Sequence, residues 1–304
     1  MSVLFGLLTA LLWAVSTLSS SRSVRAAGQT TVVAWVMLVG FVETAPLVAA
    51  VGVPPALDGP ALAWLTAAGV GNVAGLLLTY AALRIGKVGI VAPIVAAEGA
   101  AAAAISVVLG ERLAPAAALA LAVVAVGVVV SAVAPDPDPD PDPDPDPGAG
   151  SGPRAGAGPG SIRVTHPLRG ALLATAAATV FGISLFASGH LSSTLPAPWI
   201  LLAPRLVGIV LLTVPLAARR RLAVPRSVLP LVVISGTAEV LGFFTYTLGA
   251  RHGVAVTSVM ASQFAPLAAL AAFALFGERL GRLQVGGVLL LVAGVSATGL
   301  AVSS

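Results

Sequence analysis

Long apolar runs separated by short polar breaks dominate the chain, and ten of them are long enough to span a membrane as helices. They fall near residues 3–21, 30–50, 60–83, 88–109, 114–134, 168–188, 197–217, 227–250, 254–276 and 283–302. A hydrocarbon core of about 30 Å needs roughly 20 helical residues. A β-barrel also satisfies its backbone in lipid, but its strands alternate apolar and polar residues. The run Val123–Val130 shows no such alternation. The fold expected is an all-α integral membrane protein of ten transmembrane helices.

The runs come in two sets of five. Gly-Glu-Arg-Leu stands at 110–113 and again at 277–280, in each case after a hydrophobic segment and before another. Upstream, Thr79-Tyr80 answers to Thr245-Tyr246, Leu38-Val39-Gly40 to Leu206-Val207-Gly208, and Trp13-Ala14-Val15-Ser16 to Phe181-Gly182-Ile183-Ser184. This reads as a tandem repeat, residues 1–134 and 168–304, joined by a linker at 135–167. Repeats inside a membrane protein place a substrate site between the halves near the midplane. The linker holds six Asp-Pro pairs from Asp136 to Pro147, then a Gly, Pro and Ser-rich stretch. Proline disfavours helix at the residue before it and leaves an extended, solvated chain. The alternating prolines also hold the aspartates apart, which argues against a calcium site.

Composition fixes the solvent. Hydrophobic residues make up 58% and charged residues 9%, against about 25% charged in a soluble domain. With no cysteine, disulfides and thiolate metal sites are excluded. His166, His190 and His252 are scattered outside the core segments, so no metal cluster is expected. The first segment lacks a basic leader and pairs with the sixth, so it reads as a mature helix rather than a signal peptide. No nucleotide-binding loop is found.

Charge sets orientation. Of the sixteen Lys and Arg, only Arg112 and Arg251 lie after segments two, four, six and eight, and Arg205 lies within segment seven. The rest follow segments one, three, five, seven and nine. This pattern marks those loops and the linker as cytoplasmic, with both termini outside, and accounts for the basic residues without nucleic acid as a partner. Because each half crosses five times, sequence-parallel repeats become inverted structural ones.

The residues resemble the ten-helix EamA-type branch of the drug/metabolite transporter superfamily. The resemblance rests on Trp13 in the first segment, Arg205 in the second segment of repeat two, the stretch from Ala82-Leu83 to Val88, and the two Gly-Glu-Arg-Leu motifs. It implies a multi-pass transporter of amino acids, other metabolites or drugs, with no cofactor. There are departures. Repeat one has Met37 opposite Arg205, and the first segment lacks the membrane glutamate of the small four-helix relatives. Many relatives are thought to keep both termini in the cytoplasm, whereas the charges here put them outside.

The candidate chemistry lies in polar groups at depth: Glu98, Glu239, Glu43 and Arg205. Each costs roughly 2.5–3.5 kcal/mol at a bilayer centre on insertion scales, so each should face the protein interior, a partner or water. A glutamate so placed is a candidate proton carrier, and Arg205 a candidate anchor for an anionic group; a permanent ion pair that only holds helices together is the structural alternative. Asn72, Gln263, Tyr80, Tyr246 and Trp13 extend the set, with Phe181 as a further wall. Tyr80 and Tyr246 lie near segment ends, where interfacial anchoring is the default. Asn72 and Glu239 occupy near-equivalent repeat positions, as do Glu98 and Gln263. The motif residues Glu111, Arg112, Glu278 and Arg279 read as caps of tight loops, and Arg219, Arg220, Arg221 and Arg226 as orientation signals or lipid contacts.

The function expected is secondary transport of a small metabolite across an inner membrane, outward in direction, driven by a proton gradient and carried out by a monomer or homodimer. A lipid or sugar-lipid flippase of the same fold is the alternative. An intramembrane enzyme is less favoured, because no HExxH or acidic metal motif is present. Pro93 and Pro266 interrupt segments four and nine beside Glu98 and Gln263 and free backbone carbonyls there, which makes them candidate gates. Replacing Pro93 with alanine is expected to slow transport while leaving the protein folded; unchanged transport rates in proteoliposomes would remove the gating role for that half.

Overall fold

The computed structural model describes residues 1–85, 94–116 and 167–264, with isolated positions between 118 and 126 and between 267 and 294. The linker up to His166, Pro93, Pro266, the second Gly-Glu-Arg-Leu, most of the fifth and tenth segments and the side chain of Tyr80 lie outside the described residues. Every described element is helical: α1 (Ser2–Ala27), α2 (Gln29–Val51), α3 (Gly59–Ile85), α4 (Glu98–Val108), α5 (Pro167–Leu191), α6 (Ala197–Gly208), a π-helical turn (Ile209–Thr213), α7 (Val214–Ala218), α8 (Leu229–Ala250) and α9 (Val254–Ala261). Six stretches among them are long and apolar enough to cross a membrane: Ser2–Val24, Gln29–Val51, Gly59–Thr79, Leu168–Leu191, Ala197–Ala218 and Leu229–Ala250. A shorter apolar helix covers Ile94–Val108.

Boundaries follow local chemistry. α1 continues past the expected end at 21 because Ser23 returns its hydroxyl to the Ser19 carbonyl (2.9 Å) and nothing breaks the helix before Gly28. Arg22 therefore sits on the helix rather than in a loop. Gly28 at φ 77° turns the chain into α2 within a single residue, a conformation that L side chains rarely adopt. Asp58 starts α3 by accepting from the Ala61 amide at 2.8 Å.

α2 and α6 pack together and are fastened at both ends by tryptophans. Trp199 donates its indole N–H to the Gly52 carbonyl (2.9 Å), and Trp35 donates to Leu222 (2.7 Å). The ends of α1 and α7 and the start of α2 therefore share one side of the slab, which carries Arg22, Arg219, Arg220, Arg221 and Arg226. This is called the basic side below. The remaining packing is α1 on α8 and α9, α3 on α5 and α6, α4 on α5 and α9, and α2 on α8. Hydroxyls stitch the first of these seams: Thr9 pairs with Thr245 (2.9 Å), and Ser16 and Ser20 both meet Ser235 (3.0 and 2.5 Å).

Two helices are interrupted in mid-slab. Ile94–Ala96 is helical, Ala97 is a turn with ψ near 1°, and α4 restarts at Glu98. α9 stops at Ala261, Ser262 and Gln263 form a turn, and helix resumes at Phe264. At both breaks the bond tightens to a three-residue span, Ala97 N–H to Ile94 O and Gln263 N–H to Met260 O, each 3.2 Å. Short 3₁₀ stretches inside helices often mark hinges. The interrupted helices lie against one another at Gly99, where any side chain would overlap the Ser258 carbonyl and the Ser262 hydroxyl.

The first Gly-Glu-Arg-Leu does more than cap its own loop. The Glu111 carboxylate accepts from the Ala255 amide (3.0 and 3.3 Å) at the start of α9, in the other half of the chain, and from the Ser106 hydroxyl. A carboxylate at a helix N-terminus satisfies an otherwise orphaned donor and complements the helix dipole. Arg251 ties the same region by donating Nε–H to the Ser192 carbonyl at 2.7 Å. Losing a capping side chain costs about 0.5–2 kcal/mol, so Glu111→Ala should lower the unfolding temperature in detergent by a few degrees and Arg112→Ala, on the same turn, should not.

Candidate functional site

A cavity of about 280 Å³ lies in the middle of the slab, between α1, α3, α4, α5 and α8. Trp13, Phe181, Phe243 and Phe264 supply aromatic walls. Glu98, Glu239, Asn72, Thr17, Thr79 and Ser184 supply polar groups. Each is placed by helix geometry. On α1, Thr9, Trp13, Ser16, Thr17 and Ser20 recur at spacings of three and four and so share a face. On α8 the same spacing runs through Ser235, Glu239, Gly242, Phe243 and Tyr246. The two faces meet along the α1–α8 seam, with Trp13 laid against Gly242, and the Trp13 ring lies 5.1 Å from Phe243 and 6.1 Å from Phe264.

Glu98 opens α4 immediately after its break and is only 7% exposed. Glu239 is half-buried, close enough to Glu98 for like charges to repel and close enough to Arg205 for opposite charges to attract. Two buried polar atoms of the lining have no hydrogen-bond partner, Nε1 of Trp13 and Oδ1 of Asn72. Unsatisfied buried groups are costly, and a cavity is where a ligand or water can satisfy them.

Arg205 stands elsewhere. It is 1% exposed and outside the cavity lining, with its guanidinium 5.0 Å from the centroid of the Phe243 ring and its stem against Gly40, where a Cβ would come within 2.9 Å of Nε. None of its three side-chain nitrogens has a hydrogen-bond partner among the described residues. Its compensation is the ring and the charges of Glu239 and Glu43. Glu43 is also away from the cavity, half-buried and accepting from the Thr237 hydroxyl at 2.5 Å.

Two further candidates are placed outside the lining. Gln263 is buried at the α9 break, donates to the Val259 carbonyl (3.0 Å) and leaves Oε1 unpartnered. Tyr246, expected as an interfacial anchor, is fully buried; its hydroxyl donates to the Leu185 carbonyl and pairs with Ser258, both at 2.8 Å. Of the sequence candidates, the structure thus gathers Glu98, Glu239, Asn72 and Trp13 around one cavity, together with Phe181. Thr17, Thr79, Ser184, Phe243 and Phe264 were not singled out beforehand. The facial spacing on α1 and α8 is the signal that could have found Thr17 and Phe243.

A second cavity of about 470 Å³ adjoins the first and is lined by Ser16, Ser20, Gln29 and Met37 among others. The two share Thr17, Leu76 and Glu239, so the central cavity leads toward the basic side past Glu239. On the opposite side a third basin, about 590 Å³, is lined by Arg112, Arg251, His190 and His252 and shares no described lining residue with the central one. Between them lies a packed layer that includes Leu185, Phe186, Tyr246 and Ala102.

The EamA-like transporter family model matches residues 1–133 and 168–300, nearly everything outside the linker. The chain belongs to the EamA-like transporter family. This EamA-like protein is accordingly a multi-pass membrane protein and a membrane transporter within the drug/metabolite transporter superfamily. No curated protein matches it. A solved crystal structure of a protein is similar to it with a TM-score of 0.70 at 20% identity, over 98% of this chain and 96% of that one, a likeness of fold alone.

Because a Cβ at position 242 would stand 2.5 Å from Cδ1 and Nε1 of Trp13, Gly242→Ala should force the indole into the cavity at an overpacking cost of about 1–3 kcal/mol. A thermal-stability double-mutant cycle with Trp13→Leu checks this: the second change should recover most of the loss.

Proposed function

We propose that this EamA-like transporter is a secondary carrier of small metabolites in a bacterial-type inner membrane, that it works by alternating access between two inverted five-helix repeats, and that it exports its solute on a proton gradient. The observation that carries the reading is the central cavity holding Glu98 and Glu239, which adjoins a second cavity on one side and shares no described lining residue with the basin on the other.

The packing supports the inverted repeats. Exchanging each segment for its counterpart in the other half turns α1 on α8 into α5 on α3, α1 on α9 into α5 on α4, and α2 on α8 into α6 on α3. All of these contacts occur. The α4–α9 and α2–α6 contacts map onto themselves, as pairs on a pseudo-two-fold axis must. The interruptions at Ala97 and at Ser262–Gln263 fall on that self-paired α4–α9 contact, where a small change in backbone swings a long lever. Residues 1–134 and 168–304 then form the two working bodies, joined in sequence by the Asp-Pro segment. By the positive-inside rule the basic side is cytoplasmic, so the arrangement is open inward, ready to load a solute from the cell.

Glu98 and Glu239 line the path and can each exchange a proton, which couples solute movement to the gradient; in sequence, Pro93 precedes Ala97 by four residues and Pro266 follows Gln263 by three. The test is uptake and efflux of a pooled metabolite mixture in proteoliposomes with an imposed pH gradient. Accumulation should depend on the gradient, and Glu98→Gln or Glu239→Gln should lower it by at least about tenfold, equivalent to losing about 1.4 kcal/mol. Equal rates in wild type and both variants would sink the proton-coupled reading.

A further inference from the structure

We infer that the central cavity selects solutes carrying a positively charged amine on a compact apolar body, and that Arg205 shapes the cavity's field without touching the solute. This rests on the transport reading above and sharpens it to a substrate class.

The sorting of charge carries the inference. Two carboxylates, Glu98 and Glu239, line the cavity, and no basic side chain does among the described residues. The membrane-embedded guanidinium of Arg205 is outside the lining, over the ring of Phe243, which is itself a wall. A solute carboxylate entering this cavity finds two carboxyl side chains and, among the described residues, no cation within it. An ammonium group finds carboxyl oxygens that can accept its hydrogen bonds and, when ionised, offset its charge.

The walls agree. Trp13, Phe181, Phe243 and Phe264 offer four aromatic rings, whose faces attract cations as well as apolar surface. At about 280 Å³ the cavity lies near the small end of ligand sites, which favours a compact molecule.

Three probes of one shape but different charge test this on the purified full-length protein in detergent: 2-phenylethylamine, 2-phenylethanol and 3-phenylpropanoate, with binding measured by calorimetry. The amine is expected to bind at least about tenfold more tightly than either analogue, a difference of about 1.4 kcal/mol. Glu98→Gln or Glu239→Gln should bring the amine's affinity down to that of the alcohol measured in the same variant. Phe181→Leu, which keeps an apolar wall without the ring, should weaken the amine more than the alcohol, and covers the case in which a glutamate variant fails to fold.

Tightest binding by the carboxylate, abolished in Arg205→Met, would overturn the inference in favour of an anion site. Equal binding of all three probes would overturn it as well. If no probe binds while the pooled mixture is still transported, the amine class fails and the carrier reading stands. Amine binding without any gradient-driven transport leaves the site standing and removes the carrier reading.

Discussion

A charged group in hydrocarbon costs several kcal/mol, and four sit at depth in this chain. Much of the arrangement follows from keeping Glu43, Glu98, Arg205 and Glu239 away from lipid. Glu43 is satisfied by Thr237 across the α2–α8 contact. Arg205 needs the notch left by Gly40 and the face of Phe243. Glu98 and Glu239 require a cavity, and that cavity needs α1, α3, α4, α5 and α8 all to turn a polar or aromatic face inward. Small residues make this possible, because close backbone approach is how helices associate without a hydrophobic driving force in lipid. Gly99 lets the two broken helices touch, and Gly242 lets the Cδ1–Nε1 edge of Trp13 reach α8.

The charges do not form a tight ion-pair cluster. Arg205 makes no hydrogen bond with its guanidinium nitrogens among the described residues, and Glu239 faces both cavities. A buried pair locked at short range would be satisfied and inert. Charges spaced apart, each partly compensated, keep electrostatic energy that can be redistributed when a proton or a charged solute arrives.

The membrane class, most helix positions and the polar groups at depth could be read from the sequence, because apolar length and the cost of charge in lipid are local properties. Segment ends near 50, 83, 188, 217 and 250 agree with the described helices to within a few residues. What escaped depends on neighbours distant in the chain. By depth alone Arg205 reads as a solute anchor; that Phe243 stands between it and the cavity is a matter of how α6 and α8 pack. Tyr246 looked interfacial from its place near a helix end, yet Leu185 and Ser258 bury it. The breaks were legible as to which segments they interrupt. They fall at Ala97 and Ser262–Gln263, whereas the neighbouring prolines, which motivated them, lie outside the described residues.

The Glu111 cap has a bearing on how such a chain is made. Its acceptor belongs to the first half and its donor, the Ala255 amide, lies 144 residues later. The carboxylate is synthesised 144 residues before the amide that it caps, so this contact cannot form until the second half of the chain has been made, and a chain truncated before Ala255 lacks it altogether.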